Sequence, residues 1–167
     1  MLYVEVTLIN EPGKLVLTGH LGKVMQESAK AALSHLTSTN RGLKFKSVKD
    51  DKLPGLHIHV PSGAVPKDGP SAGVTMATAI ASALSGHKPV AGFAMTGELS
   101  LNGRVLPVGG VREKLLAAHR HGIRKLIIPS DNERDIEKLD DEVRKELTIH
   151  LAKHVDDVLA LMLPRLG

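Results

Sequence analysis

Residues 66–86 read PKDGPSAGVTMATAIASALSG, and two patterns meet in that run. The first eight residues hold Pro66, Gly69, Pro70 and Gly73, a rigid turn composition. From Gly69 to Gly86 no charged residue occurs, and Ala, Ser, Thr, Met, Ile and Leu predict a helix over about 71–85. A helix without a charged face must be covered on most sides by other elements. The run is too small and polar in its side chains to be a convincing membrane span. Residues 66–86 therefore predict a layered domain built around one buried helix, with a lone serine, Ser71, presented at its entrance.

The flanking sequence supplies covering layers. Residues 2–9 (LYVEVTLI) and 14–18 (KLVLT) have strand composition on either side of the turn signal EPGK and are expected to form a hairpin. Leu21, Val24, Met25, Ala29, Ala32, Leu33 and Leu36 recur at helical spacing and predict an amphipathic helix over about 20–37. A loop follows over 37–54, then a strand at 56–60 (LHIHV). Downstream, GFAMTG at 92–97 reads as a strand, and Asn102-Gly103 marks a second hairpin because both positions tolerate positive φ. Gly109-Gly110 break the chain before a helix, VREKLLAAHRH, that Gly122 stops. KLIIP at 125–129 is a buried strand, 131–146 a charged and partly helical surface segment, LTIHLA a strand and VDDVLALML a closing helix. No repeat or linker interrupts this order. The expectation is a single mixed α/β domain over 1–167, with mixed sheets packed against helices.

Composition narrows the chemistry. The 167 residues can bury a sizeable core, and 42% hydrophobic with 24% charged residues is ordinary globular usage. Tyr3, Phe45 and Phe93 are the only aromatic residues, so no platform exists for stacking bases, and a net charge of +4 spread among 18 acids gives no basic block. Nucleic-acid binding is not expected. The absence of cysteine excludes thiol catalysis, disulfides and thiolate zinc sites, and suits a reducing cytoplasm. The N-terminus lacks the pattern of a signal peptide.

Ser71 has two readings: a helix N-cap, the common task of serine there, or a nucleophile beside helix-start N–H groups that stabilise an oxyanion. A nucleophile needs a base. Lys114, near the start of its helix with Val111, Leu115 and Leu116 beside it, is one candidate. Its pKa must fall from about 10.4 to roughly 7–8 for work near neutrality, a shift of about 4 kcal/mol. The helix dipole supplies only about 0.3–1 kcal/mol, so burial must provide most of it. His57 and His59 alternate on one strand face and line a site, hold a metal or simply make that face polar; without a third ligand the metal case is weak. Thr96 at a strand end reads equally as a turn-capping hydroxyl.

PKDGPSAG, then MTGE at 95–98 and GRVLPVGGVREKLLAAHRHGI at 103–123, resemble the proteolytic domain of the ATP-dependent Lon proteases, the A-type branch in particular. LTGHLGKVMQESAKAAL at 17–33 and LHIHVPSGAVPKDGPSAG at 56–73 extend the resemblance in order and spacing to residues 10–163. It implies a serine endopeptidase with Ser71 as nucleophile, Lys114 as base and Thr96 orienting the lysine amine. It also implies supporting positions for His57, His59, Asp68 and Glu98, and an oxyanion-forming loop at Gly69, Pro70 and Ala72. Asp68 lies in a loop that turns toward or away from the serine, and pairing with Lys114 would raise the lysine pKa. No metal and no organic cofactor is implied for this domain; ATP and magnesium belong to an ATPase module, of which no G-x-x-x-x-G-K-[ST] loop occurs in this sequence. The family implies unfolded polypeptides as substrates, a hexameric ring, and an isolated protease domain of weak activity in the absence of that module. Two other readings stand beside it: a phosphate cradle of a small-molecule kinase type, and a non-catalytic assembly module.

Overall fold

The computed structural model describes residues 1–38, 53–61, 64 and 66–166. The expected loop over 37–54 falls largely outside them; Thr37 and Ser38 belong to the preceding helix.

Three strands form the first sheet: β1 (Glu5–Ile9), β2 (Leu15–Thr18) and β3 (Gly55–His59). Their order is β1-β3-β2, with β3 antiparallel to β1 and parallel to β2. The expected hairpin of the first two strands does not form. Its turn does: Lys14 N–H donates to the Glu11 carbonyl at 3.1 Å, with Pro12 and Gly13 between them and Gly13 at φ 73°. Pro followed by a positive-φ glycine is the type II arrangement, whose twist splays the flanking strands where primed turns would close them. β3 enters the gap. Gly13 N–H bonds the Leu53 carbonyl at 2.9 Å, and the approach of β3 leaves no room for a side chain at Gly55 against the Glu11 carbonyl.

The amphipathic helix expected over 20–37 is α1 (Lys23–Ser38), burying Met25, Ala29, Ala32 and Leu36. The 3-10 turn Pro70–Ala72 leads into α2 (Gly73–Ser85), which Gly86 ends in the left-handed conformation at φ 71°. Val74, Met76, Ala77, Ile80 and Ala81 of α2 are fully buried. The charge-free run is therefore the central helix of the domain, packed by α1, β1 and the C-terminal helix α5 (Val155–Met162).

The second sheet is all parallel, in the order β4-β7-β8: β4 (Phe93–Met95), β7 (Lys125–Pro129) and β8 (Thr148–Ala152). Parallel neighbours need crossovers, which here carry α3 (Val111–Arg120) between β4 and β7 and α4 (Asp141–Glu146) between β7 and β8. β7 is buried on both faces, as central parallel strands are. Ile127 joins the main core with α2, while Leu126 and Ile128 face a smaller cluster with Val111, Leu115 and Ala118 of α3. The second hairpin, β5 (Glu98–Leu99) with β6 (Val105–Leu106), forms as expected. Its turn differs in type: Gly103 N–H donates to the Ser100 carbonyl at 3.0 Å and Ser100 N–H to that of Arg104 at 3.0 Å. Only Gly103 (φ 80°) of the Asn-Gly pair takes positive φ, which makes a three-residue loop with a glycine bulge in place of a two-residue primed turn.

Candidate active site

Ser71 is the middle residue of the 3-10 turn, half-buried, preceded by Gly69 at φ 119°, a conformation reserved for glycine. Its hydroxyl caps neither the turn nor α2, and among the described residues it makes no hydrogen bond. Ser71 is instead gripped by its carbonyl oxygen, which accepts from Gly97 N–H at 2.9 Å and from Thr96 Oγ1 at 3.2 Å. Val74 N–H returns a bond to the Gly97 carbonyl at 3.2 Å. The β4–β5 connection and the entrance of α2 thus hold each other by backbone, which requires close approach. A Cβ built on Gly73 would lie 2.7 Å from Leu99 N, so the small residue after Ser71 makes room for the chain at Gly97–Leu99.

Thr96, 7% exposed, sits where β4 ends; its N–H still pairs with the Ile127 carbonyl of β7 at 3.1 Å. Its hydroxyl does not cap a local turn. It accepts from Lys114 Nζ at 3.2 Å while donating to the Ser71 carbonyl, so one buried oxygen joins residues from three separate stretches of sequence. Lys114 projects from the first turns of α3. Burial holds its pKa below the ordinary lysine range, and desolvation is the sole cause of the shift. No hydrogen bond joins Lys114 Nζ to Ser71 Oγ, and among the described residues no carboxylate pairs with the amine.

Asp68 stands apart from Lys114. Its Oδ1 accepts from Met25 N–H at 3.1 Å and from Gly69 N–H at 2.9 Å, and the carboxylate packs against Gly22 in space a side chain there would fill. The loop ahead of Ser71 is thereby tied to the N-terminus of α1, where a negative charge is favoured. Thr18 Oγ1 bridges His57 Nε2 at 2.8 Å and His59 Nδ1 at 2.7 Å. One hydroxyl owns one proton, so it donates to one ring and accepts from the other. Among the described residues no group of three His, Asp or Glu side chains is placed to hold a metal. Glu98 opens β5 opposite Leu106 and makes no bond to Ser71, Thr96 or Lys114. The sequence reading leaves Gly97 and Gly22 without roles; a glycine directly after a strand-end threonine was the only local signal for the first. A cleft lined by His87, Lys88, Pro164 and Arg165 opens at the far end of α2, roughly 20 Å from Ser71 by helix rise.

Residues 1–165 match the family described as the Lon protease (S16) C-terminal proteolytic domain. The chain belongs to that family. It is 52% identical over 163 residues to a Lon protease of Dictyoglomus thermophilum, covering 98% of this chain and 20% of that protein. It is 54% identical over 158 residues to Lon protease 1 of Bacillus subtilis (95% and 20%) and 55% identical over 166 residues to a Lon protease of Salinispora arenicola (98% and 21%). This Lon proteolytic domain spans about a fifth of the length of those relatives. None of its described helices is long and apolar enough to cross a membrane.

Proposed function

We propose that this Lon-family domain is a serine endopeptidase in which Ser71 is the nucleophile, Lys114 the general base and Thr96 the residue that orients the lysine amine. The observation that carries this reading is a serine hydroxyl on a tight turn that bonds to none of the described residues, with a half-buried lysine, unpaired with any carboxylate among them, linked to the same residue through Thr96. A lysine whose pKa is lowered by burial is what general-base work needs, and such groups concentrate at functional sites.

In the proposed reaction, neutral Lys114 Nζ takes the Ser71 Oγ proton as Oγ attacks a peptide carbonyl. The Ser71 N–H is the amide beside the developing oxyanion, since those of Gly69 and Val74 bond to Asp68 Oδ1 and the Gly97 carbonyl. The C–N bond breaks as Lys114 gives its proton to the leaving amine. Water, deprotonated by Lys114, then attacks the acyl ester, and Lys114 returns that proton to Ser71 Oγ as the ester C–O bond breaks. These steps call for neither metal nor organic cofactor. Lys114 and Ser71 close to hydrogen-bond distance when substrate fills the site, as catalytic pairs commonly do. Unfolded polypeptides are the proposed substrates, a hexameric ring the proposed assembly, the cytoplasm the proposed location, and ATP with magnesium the requirement of an ATPase module beyond these residues.

A phosphate cradle is less well supported. The Gly69 and Val74 amides already have partners, and the Asp68 carboxylate at the loop repels an anion. A purely structural module gives no reason to hold a lysine half-buried with no carboxylate beside it among the described residues. Cleavage of an unfolded protein tests the proposal, with fluorophosphonate labelling of Ser71 beside it. Ser71→Ala and Lys114→Ala should each abolish both signals with the fold intact; parent-rate cleavage by either variant rejects the pair, and saturable ATP binding would favour the kinase-like reading.

A further inference from the structure

We infer that Asn132 is a positioning residue for Lys114, because its side-chain amide clamps the backbone just ahead of the glycine pair from which α3 departs. Asn132 lies in the 3-10 segment Ser130–Asp135 after β7 and is 7% exposed. Its Oδ1 accepts from Val108 N–H at 2.9 Å, and its Nδ2 donates to the Val108 carbonyl at 3.0 Å. Nδ2 also donates to Asp135 Oδ2 at 2.9 Å. The amide therefore has only one satisfactory orientation, since reversing it would set N–H against N–H at Val108. The side chain gives Val108 the pair of bonds that a neighbouring strand would give.

The position of this clamp explains its importance. Val108 is followed by Gly109 and Gly110, the latter left-handed at φ 68° and capping α3 without any side-chain bond. Two glycines by themselves leave the direction of the next helix loosely set. On the far side of the pair, Arg112 Nε donates to the Lys138 carbonyl at 2.8 Å, and Lys138 Nζ in turn holds Asp135 Oδ1 at 2.6 Å. One segment, 130–138, thus grips the chain on both sides of the hinge. The apolar stripe of Val111, Leu115 and Ala118 fixes which face of α3 turns inward; the double bond at Val108 fixes its position along the axis. That position matters because the Lys114–Thr96 bond is already 3.2 Å long, at the upper end of the range for N–H···O bonds.

The inference rests on Lys114 acting as the base, so its test includes a readout independent of cleavage. Asn132→Ala removes the clamp, and Asn132→Asp keeps the shape and the acceptor for Val108 N–H while losing the donor and repelling Asp135. In the full chain, NMR titration of the Lys114 side chain should show its pKa rising toward the ordinary lysine range in both variants. Peptide hydrolysis should lose about 10- to 100-fold in kcat with little change in KM, the scale of a displacement of about 1 Å at a catalytic group. A folded variant whose Lys114 titrates as in the parent overturns the inference. So does a chain that folds with neither substitution, which would make Asn132 a residue of the fold alone. Failure of Lys114→Ala to stop cleavage would remove the assigned reaction while leaving the titration result to report on positioning.

Discussion

At the scale of single residues, Thr96 and Lys114 divide, in the proposed reaction, the work of making a lysine amine usable. Burial lowers the Lys114 pKa by disfavouring the ammonium, while Thr96 Oγ1 supplies a fixed acceptor at 3.2 Å. The sign follows from the shift: the folded chain binds fewer protons than the unfolded one between the lowered pKa and the ordinary lysine value. Lys114 therefore weakens folding below its folded-state pKa, and this cost disappears as pH rises into the ordinary lysine range. Hydrolysis should rise with pH as the same group loses its proton. Thr96→Val keeps the burial but removes the acceptor that aims the neutral amine, and a displacement of about 1 Å at a catalytic group costs up to about 100-fold. We expect peptide hydrolysis to fall roughly 10- to 100-fold, with the acid limb of its pH–rate profile unmoved. A limb that moves by a full unit would show that Thr96 sets the pKa as well as the geometry. The sequence offered Thr96 only as a hydroxyl at a strand end; its link to residues 25 positions earlier and 18 later exists because β4 and α3 converge there.

At the scale of elements, the entrance of α2 and the start of β5 are built as one piece. Gly73 adopts ordinary helical angles (φ −54°, ψ −47°), so it is needed for space and not for conformation. Alanine there would set a methyl 2.7 Å from the Leu99 backbone nitrogen, forcing strand and helix apart. Overpacking of this kind costs about 1–3 kcal/mol, against a gain of roughly 0.5–1 kcal/mol from replacing a helical glycine. Gly73→Ala should therefore lower the urea midpoint modestly and depress hydrolysis more than stability, because the displaced turn carries Ser71. Unchanged hydrolysis with a raised midpoint would mean that β5 yields freely. The Asn-Gly hairpin and the glycine stop at Gly122 were legible in sequence because backbone conformation makes a local demand for glycine. The false hairpin of the first two strands shows the limit of local reading. The Pro-Gly turn was legible, but its type II twist parts the flanking strands, and β3, some 40 positions away, pairs with both of them.

At the scale of the whole molecule, α2 joins the two sheets into one core. Ile80, fully buried in its middle, should cost about 2–5 kcal/mol on truncation to alanine, read as a shift in the denaturant midpoint with a single transition for both sheets. Separate transitions for the two sheets would contradict a core shared through α2. The sequence alone determined that this helix is central, since a run of eighteen residues without charge, Gly69 to Gly86, cannot face water on several sides. It also determined the element order and the position of Ser71 at the mouth of the helix, and its resemblance supplied the pairing of Ser71 with Lys114 that we propose. Only the tertiary structure decided that the serine hydroxyl caps nothing, that Asp68 holds α1 and not the lysine, and that Asn132 grips Val108. Periodicity and turn chemistry are properties of neighbouring residues, so a chain displays them before it folds. Which amide, hydroxyl or carboxylate finds which partner depends on elements dozens of residues apart being packed to within hydrogen-bond distance, and only the folded core sets that.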